Sequence, residues 1–218
     1  MIKGVIFDMD GLMFNTEWLS TVMWRRAGEE AGVVVTKEFV DTCRGKNSND
    51  IRKLFLEKFG PDFDYDTARA KRHQYMREYM ETQGVPKKEG LVELLEYLKE
   101  NGIGIALATS TGREMAKWML QSAGVYEYID AFAFGDEVVR SKPEPEIFIK
   151  AANALGLRPE ECVVLEDSGP GVIAGKAAGG YVVHIPDMVV LSDEIKEGIT
   201  KEMESLLDVI TWLEEVNR

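Results

Sequence analysis

Four short segments hold the residues best able to do chemistry. Asp8-Met9-Asp10-Gly11 sets two carboxylates two positions apart, directly after the apolar run Gly4-Val5-Ile6-Phe7. Side chains at i and i+2 of an extended chain point the same way, so both acids are expected to face one site. Gly11 allows the backbone to turn sharply there. Glu166-Asp167 follows a second apolar run, Cys162-Val163-Val164-Leu165. Adjacent acids at the end of a core strand are costly unless solvated, paired or metal-bound. If the two runs are neighbouring strands, four carboxylates converge, and such a crowd needs a cation. Oxygen ligands suit Mg²⁺. Thr109-Ser110-Thr111-Gly112 lies between an apolar run and a helical pattern. Hydroxyls and N–H groups at a helix N-terminus make an anion site, or a simple cap. Lys142-Pro143-Glu144-Pro145 places a lysine just before a helix, with Pro143 suited to its first turn. Singly, each segment is also an ordinary loop, cap or solvated lysine. Together they supply a nucleophile, a phosphate cradle, a counter-charge and a metal site.

The elements that must position these residues are legible as alternating patterns. Runs at 4–7, 103–108 and 162–165 read as buried strands, with weaker candidates at 131–134 and 181–184. Near-continuous apolar strands imply a parallel sheet covered on both faces. Leu91, Leu94, Leu95 and Leu98 mark one face of a helix that Asn101-Gly102 stops. Stretches 115–120, 147–155 and 172–178 are similar. The alternation predicts an α/β, doubly wound, Rossmann-like domain, whose ligands bind at the C-terminal edge of the strands. Residues 16–83 break the rhythm with charged helical patterns at 17–30, 48–59 and 66–82. They are expected to form a helical domain inserted into a core of residues 1–15 and 84–218. Gln83-Gly84-Val85-Pro86 is the return linker. Leu206, Leu207, Ile210 and Leu213 predict a final amphipathic helix within 202–218.

The 218 residues include 26 Lys+Arg and 38 Asp+Glu, a net charge of −12. That balance argues against nucleic-acid or anionic-membrane partners, which need a basic face. Cys43 and Cys162 alone make neither a disulfide framework nor a zinc site, and the expected location is the reducing cytoplasm. No apolar run approaches the roughly 18 residues of a membrane span. Met1-Ile2-Lys3-Gly4 leads straight into a short strand run, unlike a signal peptide.

The four segments, in this order, resemble the four motifs of the haloacid dehalogenase superfamily of phosphotransferases, and the likeness spans the chain. The resemblance implies that Asp8 is the nucleophile and becomes an aspartyl phosphate. Asp10 would protonate the leaving oxygen and then activate water. Thr109, Ser110 and Met9 would bind the phosphoryl group with Lys142, which also neutralises charge and restrains Asp8. Asp8, the backbone carbonyl of Asp10, Glu166 and Asp167 would hold Mg²⁺. The insertion resembles the helical cap of the β-phosphoglucomutase-like branch, with Asn15-Thr16-Glu17 at its hinge and Asn15 where many relatives carry Asp. A cap of this kind excludes water and selects the substrate. Arg44 and Lys46 are its candidates for substrate contact, and Trp18 is a candidate for lining the substrate cavity.

The expected activity is a Mg²⁺-dependent phosphatase acting on a small phosphorylated metabolite, a sugar phosphate above all, as a monomer. Two alternatives stay open: a β-phosphoglucomutase or related mutase, and a non-catalytic phospho-accepting signalling domain. Mutases of this branch carry a cap histidine where Ser20 aligns, and a later cap-loop Arg where Ser48 or Asn49 stands. Losing that cation weakens the grip on a second phosphate. Gly169-Pro170-Gly171-Val172-Ile173-Ala174 also matches a dinucleotide-binding pattern. Glu166 and Asp167, immediately before it, would repel a pyrophosphate. His73 and His184 read as structural or surface residues.

Overall fold

A computed structural model describes residues 1–44 and 48–217 of the chain. Contacts divide it into two compact units, Met1–Asn15 with Pro86–Arg218, and Thr16–Val85. Along the chain, β1 (Gly4–Phe7) is followed by α1 (Thr16–Glu30), α2 (Lys37–Cys43), α3 (Ser48–Phe59) and α4 (Tyr65–Gln83). The first unit resumes with α5 (Leu91–Glu100), β2 (Gly104–Thr109), α6 (Arg113–Ser122), β3 (Ala131–Phe134) and α7 (Glu146–Ala154). It ends with β4 (Cys162–Glu166), α8 (Gly169–Ala178), β5 (Tyr181–His184), α9 (Asp193–Lys196), β6 (Lys201–Glu202) and α10 (Leu206–Val216).

The first unit is built on a six-stranded sheet of order β3-β2-β1-β4-β5-β6, with every pair parallel. This is the expected α/β fold, and its packing explains why the strands lack alternation. Ile6, Ala106, Ala108 and Val164 pack on one face with Ile147, Phe148, Ala151 and Ala152 of α7. The alternate residues Val5, Phe7, Ile105, Leu107 and Leu165 are buried as well. Both faces are therefore covered, as a parallel sheet requires, and each fully buried large side chain contributes about 1.5–3 kcal/mol. Alanines at 106, 108, 151 and 152 keep α7 close to the sheet. The predicted leucine stripe of α5 is buried, and α5 packs on β2 and α10.

The second unit, helices α1 to α4, has its own core. Trp24, Val40, Cys43, Phe55 and Tyr65 are buried together. The Trp24 and Phe55 rings lie 4.5 Å apart, and the Phe39 and Phe55 rings 4.9 Å apart. Helix α2 has no counterpart in the sequence reading, because its seven residues are too few to carry a helical period. Thr36 caps it by accepting the Phe39 N–H.

Three local features differ from expectation. Pro143 is not in the first turn of α7, which starts at Glu146 behind the cap Pro145. Lys142-Pro143 instead forms the middle of a turn closed by the Glu144 N–H on the Ser141 carbonyl. The chain around 200–203 adds a short edge strand to β5 through Thr200 N–H to Val182 O and Met203 N–H to His184 O. The last helix consequently starts only at Leu206, behind Ser205 and Asp208, which cap it. Among the described residues, no helix is long and apolar enough to cross a membrane. Both cysteines are buried, and they form no disulfide.

Candidate active site

Strand β1 sits between β2 and β4. The chain runs outward from β1 through β2 to β3, and then β4 starts the other side. Such a reversal leaves a crevice at the C-terminal ends of the strands. The register pairs Phe7 with both Leu107 and Leu165, so Asp8 emerges level with Glu166, and Thr109 stands one residue further along β2. The Asp8 N–H donates to Leu165 O at 3.0 Å, which carries the ladder one residue past the strand. Met9 is buried, and its carbonyl accepts the N–H groups of Met13 and Phe14, closing a tight loop. Gly11 has φ +90°, and a Cβ there would stand 2.2 Å from Asp167 Oδ2. That position demands glycine both for its backbone and for the room Asp167 needs.

The turn between β3 and α7 brings Lys142 into this edge. Its buried ammonium donates to Asp8 Oδ1, to Glu166 Oε1 at 2.6 Å and to the Ala108 carbonyl at 3.2 Å. Asp8, Glu166 and Asp167 each offer an oxygen within 4.8 Å of the others. Burial, with Glu166 and Asp10 nearby, raises the Asp8 pKa to about 8 despite Lys142. Burial, then Glu166, Asp8 and Asp187, holds Asp167 well above the usual carboxylate range. Lys142 is shifted the other way: burial disfavours its charge, but Asp8 and Glu166 outweigh that and raise its pKa.

Asp10 takes a separate position. Its Oδ2 accepts a hydrogen bond from Thr111 Oγ1 at 2.7 Å. Of the four carboxylates expected to converge, three form the cluster and Asp10 is tethered beside it. Buried Thr109 turns its Oγ1 to accept the Thr111 N–H at 3.0 Å, while Ser110 is exposed. Thr111, which the sequence reading left without a role, is thus what fixes the Asp10 carboxylate.

The Glu166 carboxylate is saturated by protein donors. Oε1 accepts from Lys142, and Oε2 accepts from the N–H groups of Asp167 and Ser168 and from Ser168 Oγ. Ser168 Oγ in turn accepts the Gly171 N–H at 3.1 Å and caps α8. The helix N-terminus that a pyrophosphate would need is therefore occupied by the chain's own carboxylate. A Cβ on Gly171 would lie 1.9 Å from Glu166 Cδ. The glycines of this segment make room for Glu166, not for a dinucleotide. Gly171→Ala is expected to displace Glu166 and slacken Lys142, lowering kcat by about 10²-fold with KM nearly unchanged. Steady-state kinetics on the folded variant checks this.

The model of the haloacid dehalogenase-like hydrolases matches residues 2–179. The chain belongs to that family. This hydrolase is 32% identical to the phosphorylated carbohydrates phosphatase of Thermotoga maritima, over 82% of each chain. It is 30% identical to hexitol phosphatase A of Escherichia coli, over 84% of this chain and 82% of that one. Among solved structures, a candidate β-phosphoglucomutase of Thermotoga maritima superposes with a TM-score of 0.84 at 28% identity, covering 99% of this chain and all of the other.

Two further acids and bases of the hydrolase adjoin the cluster without having been predicted. Lys88 Nζ pairs with Asp187 Oδ1 at 2.5 Å. Among the described residues, the buried side-chain atoms without a hydrogen-bond partner are Asp167 Oδ1 and Asp187 Oδ2. Lys88 and Asp187 lie 99 positions apart, so no local spacing announces the pair.

Within the helical unit, Arg44 is a strut. Its guanidinium is buried and donates to Glu17, to Asp41 Oδ1 at 3.0 Å and to Thr21 Oγ1 at 2.7 Å. Ser20 and Arg44 line a cavity of about 290 Å³ inside this unit, with Arg69, Arg72 and His73 on its α4 side. Trp18 is half exposed, packs edge-on against Tyr79 and is not among the residues lining that cavity. Lys46 lies outside the described residues.

Proposed function

We propose that this hydrolase is a Mg²⁺-dependent phosphatase of small phosphorylated carbohydrates that carries the phosphoryl group transiently on Asp8. The observation behind this reading is the buried Asp8 carboxylate, gripped by Lys142 at the strand edge, with a second acid tethered beside it by Thr111. Asp8 attacks phosphorus, and the bond from phosphorus to the ester oxygen breaks. Asp10 gives its proton to that oxygen, so the alcohol leaves neutral. Asp10 then takes a proton from water, the water oxygen attacks phosphorus, and the bond to Asp8 breaks to release inorganic phosphate. The Thr111 hydroxyl keeps Asp10 oriented through both transfers. Lys142, Thr109 and the backbone of Ser110 stabilise the charge on the phosphoryl oxygens, and each such donor contributes on the order of 10²–10³ in rate.

The donors fit a divalent cation. They are oxygen-only and buried, they crowd more negative charge than Lys142 offsets, and Asp167 Oδ1 has no protein partner. Asp8, Asp167 and the Asp10 carbonyl are the groups proposed to hold it, with Glu166 anchoring Lys142 from behind. When bound, the cation neutralises charge on the transferred group.

The substrate class rests on the two named relatives, both phosphatases of phosphorylated carbohydrates or hexitols. Mutase action is the second reading, supported by the candidate β-phosphoglucomutase that shares the fold. Ser20, in place of a cap histidine, favours hydrolysis. The test is phosphate release from hexose, pentose and hexitol phosphates, with Mg²⁺ and with EDTA, while glucose 6-phosphate formation from β-glucose 1-phosphate is followed in parallel. Release that EDTA abolishes is the expected result. Isomer formation without release would transfer the assignment to the mutase.

A further inference from the structure

His184, the last residue of β5, is buried and lies in register between Glu166 of β4 and Glu202 of β6. Both of its ring nitrogens meet oxygen. Nδ1 is 2.9 Å from Glu202 Oε2, and Nε2 is 3.3 Å from the backbone carbonyl of Asp167. The ring thus bridges an edge-strand carboxylate to the peptide that carries Asp167. That peptide is constrained from its other side as well, because its own N–H, that of Ser168, donates to Glu166 Oε2, and the Asp167 N–H of the preceding peptide donates to the same oxygen. The Asp167 side chain ends in the buried oxygen, Oδ1, that no protein group satisfies. The backbone of Asp167 is therefore clamped at N–H and C=O while its carboxylate is left open.

From this geometry we infer that His184, backed by Glu202, is a positioning residue for the cation-binding carboxylate of Asp167. The inference rests on the proposed cation site. A clamp of this kind sets ligand orientation without touching the ion, and loss of such an outer partner costs about 10–100-fold in metal affinity. Glu202 has a further effect. Edge strand β6 is only two residues long, and the Glu202–His184 contact ties it to the centre of the site. The sequence supports the pairing only in hindsight, since Glu202 lies eighteen positions from His184 on a strand that composition does not reveal.

The test is direct Mn²⁺ binding, read by the loss of the free-ion electron paramagnetic resonance signal, without substrate. It uses the full chain as wild type, His184→Ala, His184→Gln and Glu202→Ala, with a thermal melt in EDTA for each. The expected result is a Kd raised about tenfold or more by His184→Ala, with partial recovery in His184→Gln, whose amide can still donate to the Asp167 carbonyl. Glu202→Ala, at a half-exposed edge position, is expected to raise Kd about threefold and to keep the fold, so it carries the test if His184→Ala does not fold. A lower melting temperature with unchanged Kd in the folded variants makes His184 a packing residue and overturns the inference. If the wild type itself binds no Mn²⁺, the cation site proposed above fails first, and the clamp fails with it.

Discussion

Asp8→Asn is expected to lower kcat by on the order of 10⁴-fold or more while leaving a folded protein. The amide oxygen can still accept from Lys142, but it cannot form an acyl phosphate. Stability should move in the opposite direction from activity. In the folded, metal-free protein burial, above all, pushes the Asp8 pKa up to about 8 from its ordinary value of 3.8. Between those two values the folded state holds a proton that the unfolded chain has released. Asp8 therefore withdraws stability as pH rises from about 4 to about 8. The amide removes that loss. In EDTA, the melting temperature of Asp8→Asn should match wild type near pH 4 and exceed it increasingly towards pH 8. A variant that retains appreciable turnover would remove Asp8 as the nucleophile, and a variant less stable at pH 8 than at pH 5, relative to wild type, would contradict the electrostatic account.

Lys142→Met carries the second large effect. Its ammonium is the shared partner of two buried carboxylates, Asp8 and Glu166, both of which it touches directly. Removing one member of a buried ion-pair network leaves uncompensated charge and costs about 3–5 kcal/mol. The carboxylates escape part of that cost by taking up protons, so the loss should be larger at pH 8 than at pH 5. Urea unfolding in EDTA at both pH values measures it, and a change below about 1 kcal/mol at pH 8 would mean the network is not electrostatically tight. Catalysis should fall by about 10²–10³-fold, because the phosphoryl charge loses a donor and Asp8 loses its restraint.

The parts of the site legible in the sequence are those where chemistry follows a strand without interruption. Asp8, Thr109 and Glu166 each end or directly follow an apolar run, and parallel register then sets Asp8 level with Glu166 and Thr109 one residue beyond. The sheet was legible for the same reason: strands buried on both faces cannot alternate, and these do not. What escaped reading depends on pairing between distant segments. Thr111 is fixed to Asp10 across 101 positions, and Lys88 to Asp187 across 99. Glu166, read as an ion ligand, also accepts hydrogen bonds from three donors of its own loop and one from Lys142, none of which its type announces. A glycine pattern shaped for a carboxylate is the same in letters as one shaped for a pyrophosphate, and only the position of Glu166 separates them. Arg44 reads as a candidate for substrate contact, and its bonds to Glu17, Asp41 and Thr21 are not announced by local spacing.

The central claim is that phosphorus is attacked twice, first by Asp8 and then by water. The stereochemistry at phosphorus tests it most directly. A phosphate ester made chiral with oxygen isotopes, turned over with an acceptor alcohol in place of water, should give product with retained configuration, since two in-line displacements cancel. Inverted configuration would mean a single displacement with no phosphoryl group on Asp8, and would contradict the account.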